Sequence, residues 1–326
     1  MIRMTVMLFA CALAAGAASA QAPPSEANWP TRPIRFLVPF PPGGSTDTVA
    51  RIVGQMLGAR LGQNFVVENR AGASGNLATE AVARAAPDGY TIGLASTTTH
   101  GSVAGFARAL PFDPVKDFAP VSMLGSSPFV MVIPPSLPAR DLKEFIALAK
   151  ARPGGLSYGS AGAGSLAHLV AALFEHRAGV SMVHVPYKAS AQSTPDLMTG
   201  RLDMQFATVP PTLALLREGK LRALGIASAQ RSALLPEVPT LSEAGLPGFD
   251  ASLWFAIVAP AATAPAIVAR LNREIAAALG TEAAKQALAQ QGVDAQVSTP
   301  EALGARIRDE IVKWREVISK AGIQPE

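Results

Sequence analysis

Residues 155–169 carry two sequence patterns that could perform chemistry. Gly155-Leu156-Ser157-Tyr158-Gly159 fits G-x-S-x-G, which presents a nucleophilic serine in serine hydrolases. Gly162-Ala163-Gly164-Ser165-Leu166-Ala167 fits G-x-G-x-x-A, which binds a pyrophosphate at a helix N-terminus in dinucleotide-binding folds. A third possibility is simpler, because the first amides of any helix, approached through small residues, can bind a carboxylate or a phosphate.

The strands and helices predicted around this stretch favour some of these three possibilities over others. Residues 156–159 read as a strand and residues 166–175 as a helix. A nucleophile elbow places its serine on the turn between strand and helix, whereas Ser157 lies inside the predicted strand. The dinucleotide pattern has the right context, but the strand predicted at 182–186 offers no acid for a ribose hydroxyl. An exported serine esterase or α/β oxidoreductase therefore stays as the alternative to an anion-binding loop.

The anion-binding interpretation gives a role to small residues between the strand and the helix. The helix has an apolar face that fixes its N-terminus, where unpaired amides lie at the positive end of the helix dipole. His168, one turn into the helix, either donates to a carboxylate or serves the structure. The residues predicted to surround the anion are Ser160, Ala161, Gly162, Ala163, Gly164 and Ser165.

A matching loop follows the first strand, which is predicted at residues 34–38. It runs Pro39-Phe40-Pro41-Pro42-Gly43-Gly44 and opens a helix, with Ser45 or Thr46 as the N-cap and Asp47 in the first turn. Two such helix N-termini, one on each half of the chain, would clamp an anionic ligand between them.

Strand and helix patterns alternate along the whole chain, which is typical of parallel, doubly wound sheets. The extended segment 121–133 predicts a crossing to a second α/β unit, and 254–258 a crossing back. We therefore expect an α/β fold of the two-lobed, type II-like periplasmic binding protein kind. Lobe 1 is predicted to comprise residues 21–124 plus 251–326, and lobe 2 residues 125–250. Ligands of such sheets bind at the carboxyl ends of the strands, so the cleft between the lobes is the expected site.

The N-terminus and the composition indicate where the protein works. Arg3, an apolar run at 6–17 and small residues before Gln21 predict a secretory signal cleaved after Ala20. The single cysteine, Cys11, lies inside that signal, so the mature chain has no disulfide, which suggests a bacterial periplasm. A net charge of +4 without basic blocks, and only 6% aromatic residues, argue against nucleic-acid binding. No cofactor is expected, and the four histidines show no metal-ligand spacing.

Seven motifs in a fixed order resemble one known family, the tripartite tricarboxylate transporter substrate-binding proteins, also called Bug-type receptors. They are distributed between residues 39 and 240. They lie at 39–51, 68–76, 86–91, 113–121, 183–188, 219–224 and 236–240.

This resemblance implies a periplasmic receptor that binds a small carboxylate and delivers it to the membrane components of a cation-driven transporter. We expect it to be a monomer. By family position, the first-lobe contacts would be Pro41, Pro42, Gly43, Gly44, Ser45, Thr46, Asp47, Gly75, Asn76, Ser96, Thr97 and Thr98. The second-lobe contacts would be the residues from Ser160 to Ser165, with His168, Tyr187, Lys188, Asp203 and Thr208.

The chain departs from the family pattern at two of these places. Ala189 follows Tyr187-Lys188 where the family usually has glycine, and Ala207 follows Phe206 where the family often has aspartate. If that aspartate faces the ligand, its absence disfavours a cationic amino group, since a buried ammonium needs a counter-charge. We therefore expect a plain carboxylate rather than an amino acid. Lys188 either meets the ligand charge or is solvated, and Asp203 is expected to orient loop amides or Lys188.

Overall fold

The computed structural model describes residues 29–106 and 110–323. The predicted signal peptide and Cys11 lie outside the described residues. In chain order the strands and helices are β1 (Ile34–Val38), α1 (Ser45–Leu61), β2 (Phe65–Asn69), α2 (Asn76–Ala83), β3 (Thr91–Ser96), β4 (Phe118–Ser127), β5 (Phe129–Ile133), α3 (Leu142–Ala151), β6 (Ser157–Ser160), α4 (Leu166–Ala178), β7 (Val183–Pro186), α5 (Ser190–Met198), β8 (Met204–Thr208), α6 (Val209–Arg217), β9 (Arg222–Ile226), β10 (Leu253–Pro260), α7 (Pro265–Leu279), α8 (Glu282–Ala289), β11 (Asp294–Ala295) and α9 (Pro300–Ala321). None of the helices in these two ranges is both long and apolar enough to cross a membrane.

Sheet 1 has the strand order β2-β1-β3-β10-β4-β11, with β1 parallel to β2 and β3, and β10 antiparallel to its neighbours. Successive side chains along its strands point alternately into two apolar cores, one on each face of the sheet. In β1, Ile34, Phe36 and Val38 pack with α1, α7 and α8, whereas Leu37 packs with α2 and α9 on the other face. Because both faces of the sheet are covered, the central strands β3 and β10 are buried along nearly their whole length, as in doubly wound sheets.

Sheet 2 has the order β7-β6-β8-β5-β9 and is built the same way. On β5, Met131 and Ile133 pack with α3 and α4, while Val130 and Val132 face the core that contains Leu197 of α5. Strands β6, β7 and β8 are parallel, and β5 and β9 complete the sheet with antiparallel pairings. The predicted two-sheet α/β architecture is confirmed.

The carboxyl edges of the two sheets meet at one crossing of the chain. Only Pro128 separates the end of β4 in sheet 1 from the start of β5 in sheet 2. The start of β5 pairs with Thr208, the last residue of β8, and the start of β10 pairs with both Ser127 and the end of β3 at Ser96. The loops that leave the ends of β3 and β8 therefore border the same cleft.

The second crossing lies between β9 and β10, in residues 227–252, and not at 254–258 as expected. Residues 254–258 fall inside β10, where Trp254 is fully buried in a core of sheet 1. Helix α9 also spans the two lobes. Its first half buries Leu303 and Ile307 against sheet 1, and its second half places Trp314 and Val317 in the core with α4 of sheet 2.

Candidate ligand site

The loop 39–44 delivers the chain from β1 to the N-terminus of α1. Gly44, and neither Ser45 nor Thr46, is the N-cap, and it makes no side-chain capping bond, so the predicted capping residue is corrected. Residues 41–45 are exposed, and Thr46 is buried. The first amides of α1 have no partner within the helix and point towards this exposed, small-residue loop. Here the fold provides an N-terminus that a small anion can approach.

Asp47 holds this loop in shape. It is 3% exposed, and its carboxylate accepts hydrogen bonds from the Gly43 amide at 2.9 Å, the Arg51 Nε at 3.0 Å and the Asn69 Nδ2 at 2.9 Å. Burial acts to raise the pKa of Asp47, but these hydrogen bonds outweigh it and the pKa lies below its ordinary value. The negative charge of Asp47 is therefore paired with donors of lobe 1 itself.

The loop before α2 has an unusual backbone. Four successive residues have positive φ, from Gly72 at 134° through Ala73 at 46° and Ser74 at 56° to Gly75 at 91°. Left-handed conformation costs about 1–2 kcal/mol for a residue with a side chain, so Ala73 and Ser74 store strain at this position. Gly75 is the N-cap of α2, and Asn76 is its half-buried first residue.

Three ligand contacts, Ser96 to Thr98, were predicted at the end of β3. The side chains of two of them make hydrogen bonds within lobe 1. The Ser96 hydroxyl accepts from the Thr99 amide at 3.4 Å and caps the helical turn Thr97–Gly101. The buried Thr97 hydroxyl donates to the Ser252 carbonyl at 3.1 Å and accepts from the Trp254 amide at 2.9 Å. Thr98 is half-buried, and it is the one of the three whose side chain remains at the surface of the cleft.

The glycine loop, defined as residues 160–165, connects β6 to α4 and is held from within. The buried Ser160 hydroxyl accepts from the Gly162 amide at 3.1 Å, and the Ser165 hydroxyl caps α4 by accepting from the His168 amide at 3.3 Å. Gly162 and Gly164 both have positive φ, which explains why glycine occupies them. The first amides of α4 have no acceptor within the helix and lie behind Ala161 and Ala163.

His168 and His184 stack beside the glycine loop. His168 accepts a hydrogen bond at Nδ1 from the Gly164 amide at 3.1 Å, and His184 Nε2 lies 2.7 Å from the Ser160 hydroxyl. Their ring centroids are 3.8 Å apart with an interplanar angle of 12°. Burial and then the neighbouring His184 lower the pKa of His168 to about 4, and burial lowers that of His184. His168 therefore serves the loop, which is the structural option predicted for it.

The ends of β7 and β8 bring two more helix N-termini to the same edge of sheet 2. Tyr187 donates its amide to the Ser160 carbonyl at 3.1 Å and its hydroxyl to Asp196 at 2.7 Å, and Lys188 is exposed next to the start of α5. Thr208 is exposed and precedes α6, whose first turn contains two prolines. The start of α6 was not predicted, although Pro at the first helical positions is a known signal.

Asp203 does not lie with the other predicted contacts. It precedes β8, and its carboxylate accepts from the Ser157 amide at 2.8 Å and the Ser157 hydroxyl at 3.1 Å. Ser157 begins β6, so this pair lies at the amino edge of sheet 2, about 16 Å along β8 from Thr208. The expectation that Asp203 orients ligand-loop amides or Lys188 is wrong, because the resemblance gave its place in the sequence and not the end of the strand.

The rest of the first- and second-lobe residues form two sets of loops bordering the cleft. Helices α1 and α2 begin in one set, and α4, α5 and α6 begin in the other. Helix N-termini carry a partial positive charge and free amide donors. Such an arrangement can bind an anion without a cationic side chain. His184 and Asn69, which hold these loops, were not predicted. His184 reaches the glycine loop only through the register of β6 with β7, in which it pairs with Tyr158.

Two doubly wound lobes joined by crossing segments, with helix N-termini gathered at their adjoining carboxyl edges, are the architecture of a two-lobed solute receptor. The sequence model for the family described as "Tripartite tricarboxylate transporter family receptor" matches residues 49–323. Protein BugT of Bordetella pertussis is 41% identical over 322 residues, which cover 98% of this chain and 99% of BugT. The chain belongs to the tripartite tricarboxylate transporter family receptors, as the motifs predicted.

Solved structures of two relatives agree with this assignment. R. palustris Rpa4515 with adipate is 36% identical, and the match covers 91% of this chain and all of that chain (100%) with a TM-score of 0.73. MatC from Rhodopseudomonas palustris with bound malate is 33% identical, with coverage of 89% and 100% and a TM-score of 0.68. These similarities confirm the predicted fold class.

Proposed function

We propose that this protein is a monomeric periplasmic receptor that binds one small carboxylate in the cleft between its lobes. It delivers that ligand to the membrane components of a cation-driven tripartite tricarboxylate transporter. A signal peptide directs its export and is then cleaved after Ala20. The lobes divide at 250/251 as predicted and at Pro128 rather than at 124/125, because β4 continues to Ser127 in sheet 1. The ligand draws them together by a hinge motion about the two crossings.

The observation that carries this proposal is the pair of helix N-termini reached through small residues, α1 behind loop 39–44 and α4 behind the glycine loop. Both lie at the carboxyl edges of parallel strands, where ligands of such sheets bind. Amides at these ends stabilise an anion through charge and hydrogen bonds together. The two solved relatives bind adipate and malate, which are both dicarboxylates, and this supports the same ligand class here.

The proposed contacts are the loop residues that border the cleft, without Asp203. Asp47 acts by holding loop 39–44, and His168 by holding the glycine loop. Ser96, Thr97 and Ser160 are fully buried and likewise act by holding their loops. The remaining contacts are Pro41, Pro42, Gly43, Gly44, Ser45, Thr46, Gly75, Asn76, Thr98, Ala161, Gly162, Ala163, Gly164, Ser165, Tyr187, Lys188 and Thr208.

The positions of the acidic side chains in and near the predicted site favour a plain carboxylate ligand over an amino acid. Asp47 is already hydrogen-bonded by three donors, and Asp203 lies at the opposite edge of sheet 2. Ala207, which stands where the family often has aspartate, is buried in an apolar core with Val130 and Val209. An ammonium group would therefore meet no free carboxylate among the proposed contacts, and burying it without one is costly.

A thermal-shift screen over organic acids, with analysis of any copurified ligand, tests the proposal. A ligand at 100 times its dissociation constant stabilises the folded state by about 2.7 kcal/mol, which gives a readable shift in melting temperature. A set of mono-, di- and tricarboxylates that produces no shift and no copurified acid would contradict it.

The rival function is an exported enzyme that uses Ser157 as a nucleophile. In the structure the Ser157 hydroxyl donates to Asp203 at the amino edge of sheet 2, away from the cleft. Ser157→Ala should therefore leave organic-acid binding unchanged. An esterase activity that is present in the natural protein and lost in this variant would favour the enzyme instead.

A further inference from the structure

Two imidazole rings, those of His168 and His184, hold the glycine loop. Protonation of one ring has a different effect on the loop from protonation of the other. His168 accepts the Gly164 amide hydrogen at Nδ1, so in its neutral form the ring carries its proton on Nε2. His184 approaches the Ser160 hydroxyl with Nε2 at 2.7 Å. Ser160 also donates to the Gly162 carbonyl at 3.1 Å, and when it does so His184 must donate through Nε2.

A proton therefore affects the two rings differently. His184 can take its second proton on Nδ1 and still donate to Ser160. His168 can take its second proton only on Nδ1, where a ring N–H would face the Gly164 N–H and abolish the hydrogen bond. Because the rings are stacked at 3.8 Å, a charge on His184 opposes a charge on His168.

We propose that His168 and His184 are positioning residues that keep the glycine loop in its binding shape only while His168 is neutral, so that acid releases the loop and weakens ligand binding. This rests on the proposed function, because the loop is taken to contact the ligand. It extends that function by giving the receptor a built-in pH dependence. The lowered pKa values of both rings agree with a neutral pair at ordinary periplasmic pH.

The charged groups facing the rings strengthen this pH dependence. Tyr158 of β6, Glu175 and His176 of α4 and Lys320 of α9 line a cavity of about 410 Å³ with the two rings. Burial raises the pKa of Glu175, whose carboxylate accepts from the Met182 amide at 2.6 Å. Once this carboxyl is protonated in acid, its negative charge no longer stabilises a protonated imidazole ring. The positive charge of the Lys320 ammonium disfavours a protonated ring at any pH where the lysine is charged.

The test compares His168→Asn, His168→Ala and the control His176→Gln. Asparagine places an amide oxygen where Nδ1 was, so it keeps the Gly164 bond but does not titrate; alanine removes the bond. His176 lines the same cavity, but it is exposed and its Nε2 lies near Glu316 and Lys320 rather than the glycine loop. Two readouts are used: NMR of the imidazole nitrogens and the Gly164 amide across pH 7.5 to 3.5, and calorimetry with malate.

In the natural protein we expect the Nε2–H tautomer of His168, and a Gly164 amide resonance that shifts with a midpoint of about 4, as does His168. That midpoint should vanish in His168→Asn and persist in His176→Gln. At pH 7.5, malate affinity should fall at least about threefold in His168→Ala and be restored by asparagine. An Nδ1–H tautomer, or a Gly164 resonance that ignores His168, would overturn the proposal. If malate and other organic acids bind to no variant, the proposed function fails, and the NMR result still decides the role of His168.

Discussion

Gly75 packs so closely against Thr99 that a β-carbon at position 75 would lie 2.7 Å from Thr99 Cγ2. The same atom would lie 3.0 Å from the β-carbon of Pro39. Gly75 is the N-cap of α2, Thr99 follows β3, and Pro39 follows β1. One glycine therefore sets the spacing of all three first-lobe loops of the candidate site.

Replacing Gly75 with alanine should destabilise the protein and disturb these loops. The left-handed φ of 91° costs about 1–2 kcal/mol for a side chain, and overpacking adds about 1–3 kcal/mol. Gly43→Ala is the matched control, because Gly43 has a φ of 85° but a β-carbon there would meet nothing within 4 Å. Urea unfolding should show a clearly larger loss for Gly75→Ala; equal losses would mean that the close contact does not matter.

Asp47→Asn should weaken ligand binding as well as stability. The change removes charge-assisted hydrogen bonds that fix loop 39–44, at a cost of about 1–3 kcal/mol in the free energy of unfolding. Loss of loop order should lower organic-acid affinity about tenfold, which corresponds to about 1.4 kcal/mol. Calorimetry and chemical denaturation measure the two effects.

Asp203→Asn is the control for that change. Asp203 also accepts two hydrogen bonds from its neighbour, but at the amino edge of sheet 2. It should lose stability of similar size and keep the natural affinity. A tenfold loss of affinity in Asp203→Asn would restore this residue to the binding site.

His100 should make the protein less stable in acid. It is 1% exposed, its Nδ1 lies 3.0 Å from the Thr99 hydroxyl, and its Nε2 has no hydrogen-bond partner within residues 29–106 and 110–323. Burial lowers its pKa to about 3, whereas an unfolded histidine titrates near about 6.5. The unfolded chain binds more protons below pH 6.5, so the free energy of unfolding falls as pH falls from there towards 3.

For His100 alone, the loss between pH 8 and pH 5 should be about 2 kcal/mol. His100→Asn should be less stable at pH 8, since it leaves a cavity, but its stability should fall less steeply with acid. His176→Asn, at an exposed position, should keep the natural slope. Urea titrations at several pH values give these slopes, and an unchanged slope in His100→Asn would show that His100 does not carry the effect.

The sequence predicted the elements that carry strong local signals. The first residues of helices α3 and α7 carry such signals, because Asp141 caps the first and Pro265 opens the second. The strand–loop–helix units around 34–61 and 157–178 were predictable because their helices have apolar faces and their loops are rich in glycine. The two loops proposed to bind the anion therefore could be located without a structure.

Other features depend on contacts that no local pattern records. Helix α6 was missed because Pro210 and Pro211 read as a break, although proline is tolerated in the first turn of a helix. Asp203 was placed at the wrong end of its strand. The stacking of His168 on His184 arises from the register of β6 with β7, which joins residues far apart in sequence.

The central claim is that the site binds a plain carboxylate and has no free acidic side chain to pair with an amino group. Calorimetry with malate and aspartate tests it most directly. The two differ only in a hydroxyl in place of an ammonium group, and succinate, adipate and glutamate extend the comparison. We expect a dicarboxylate without an amino group to bind at least about tenfold more tightly than either amino acid. Tight binding of aspartate or glutamate, with no binding of the organic acids, would contradict this.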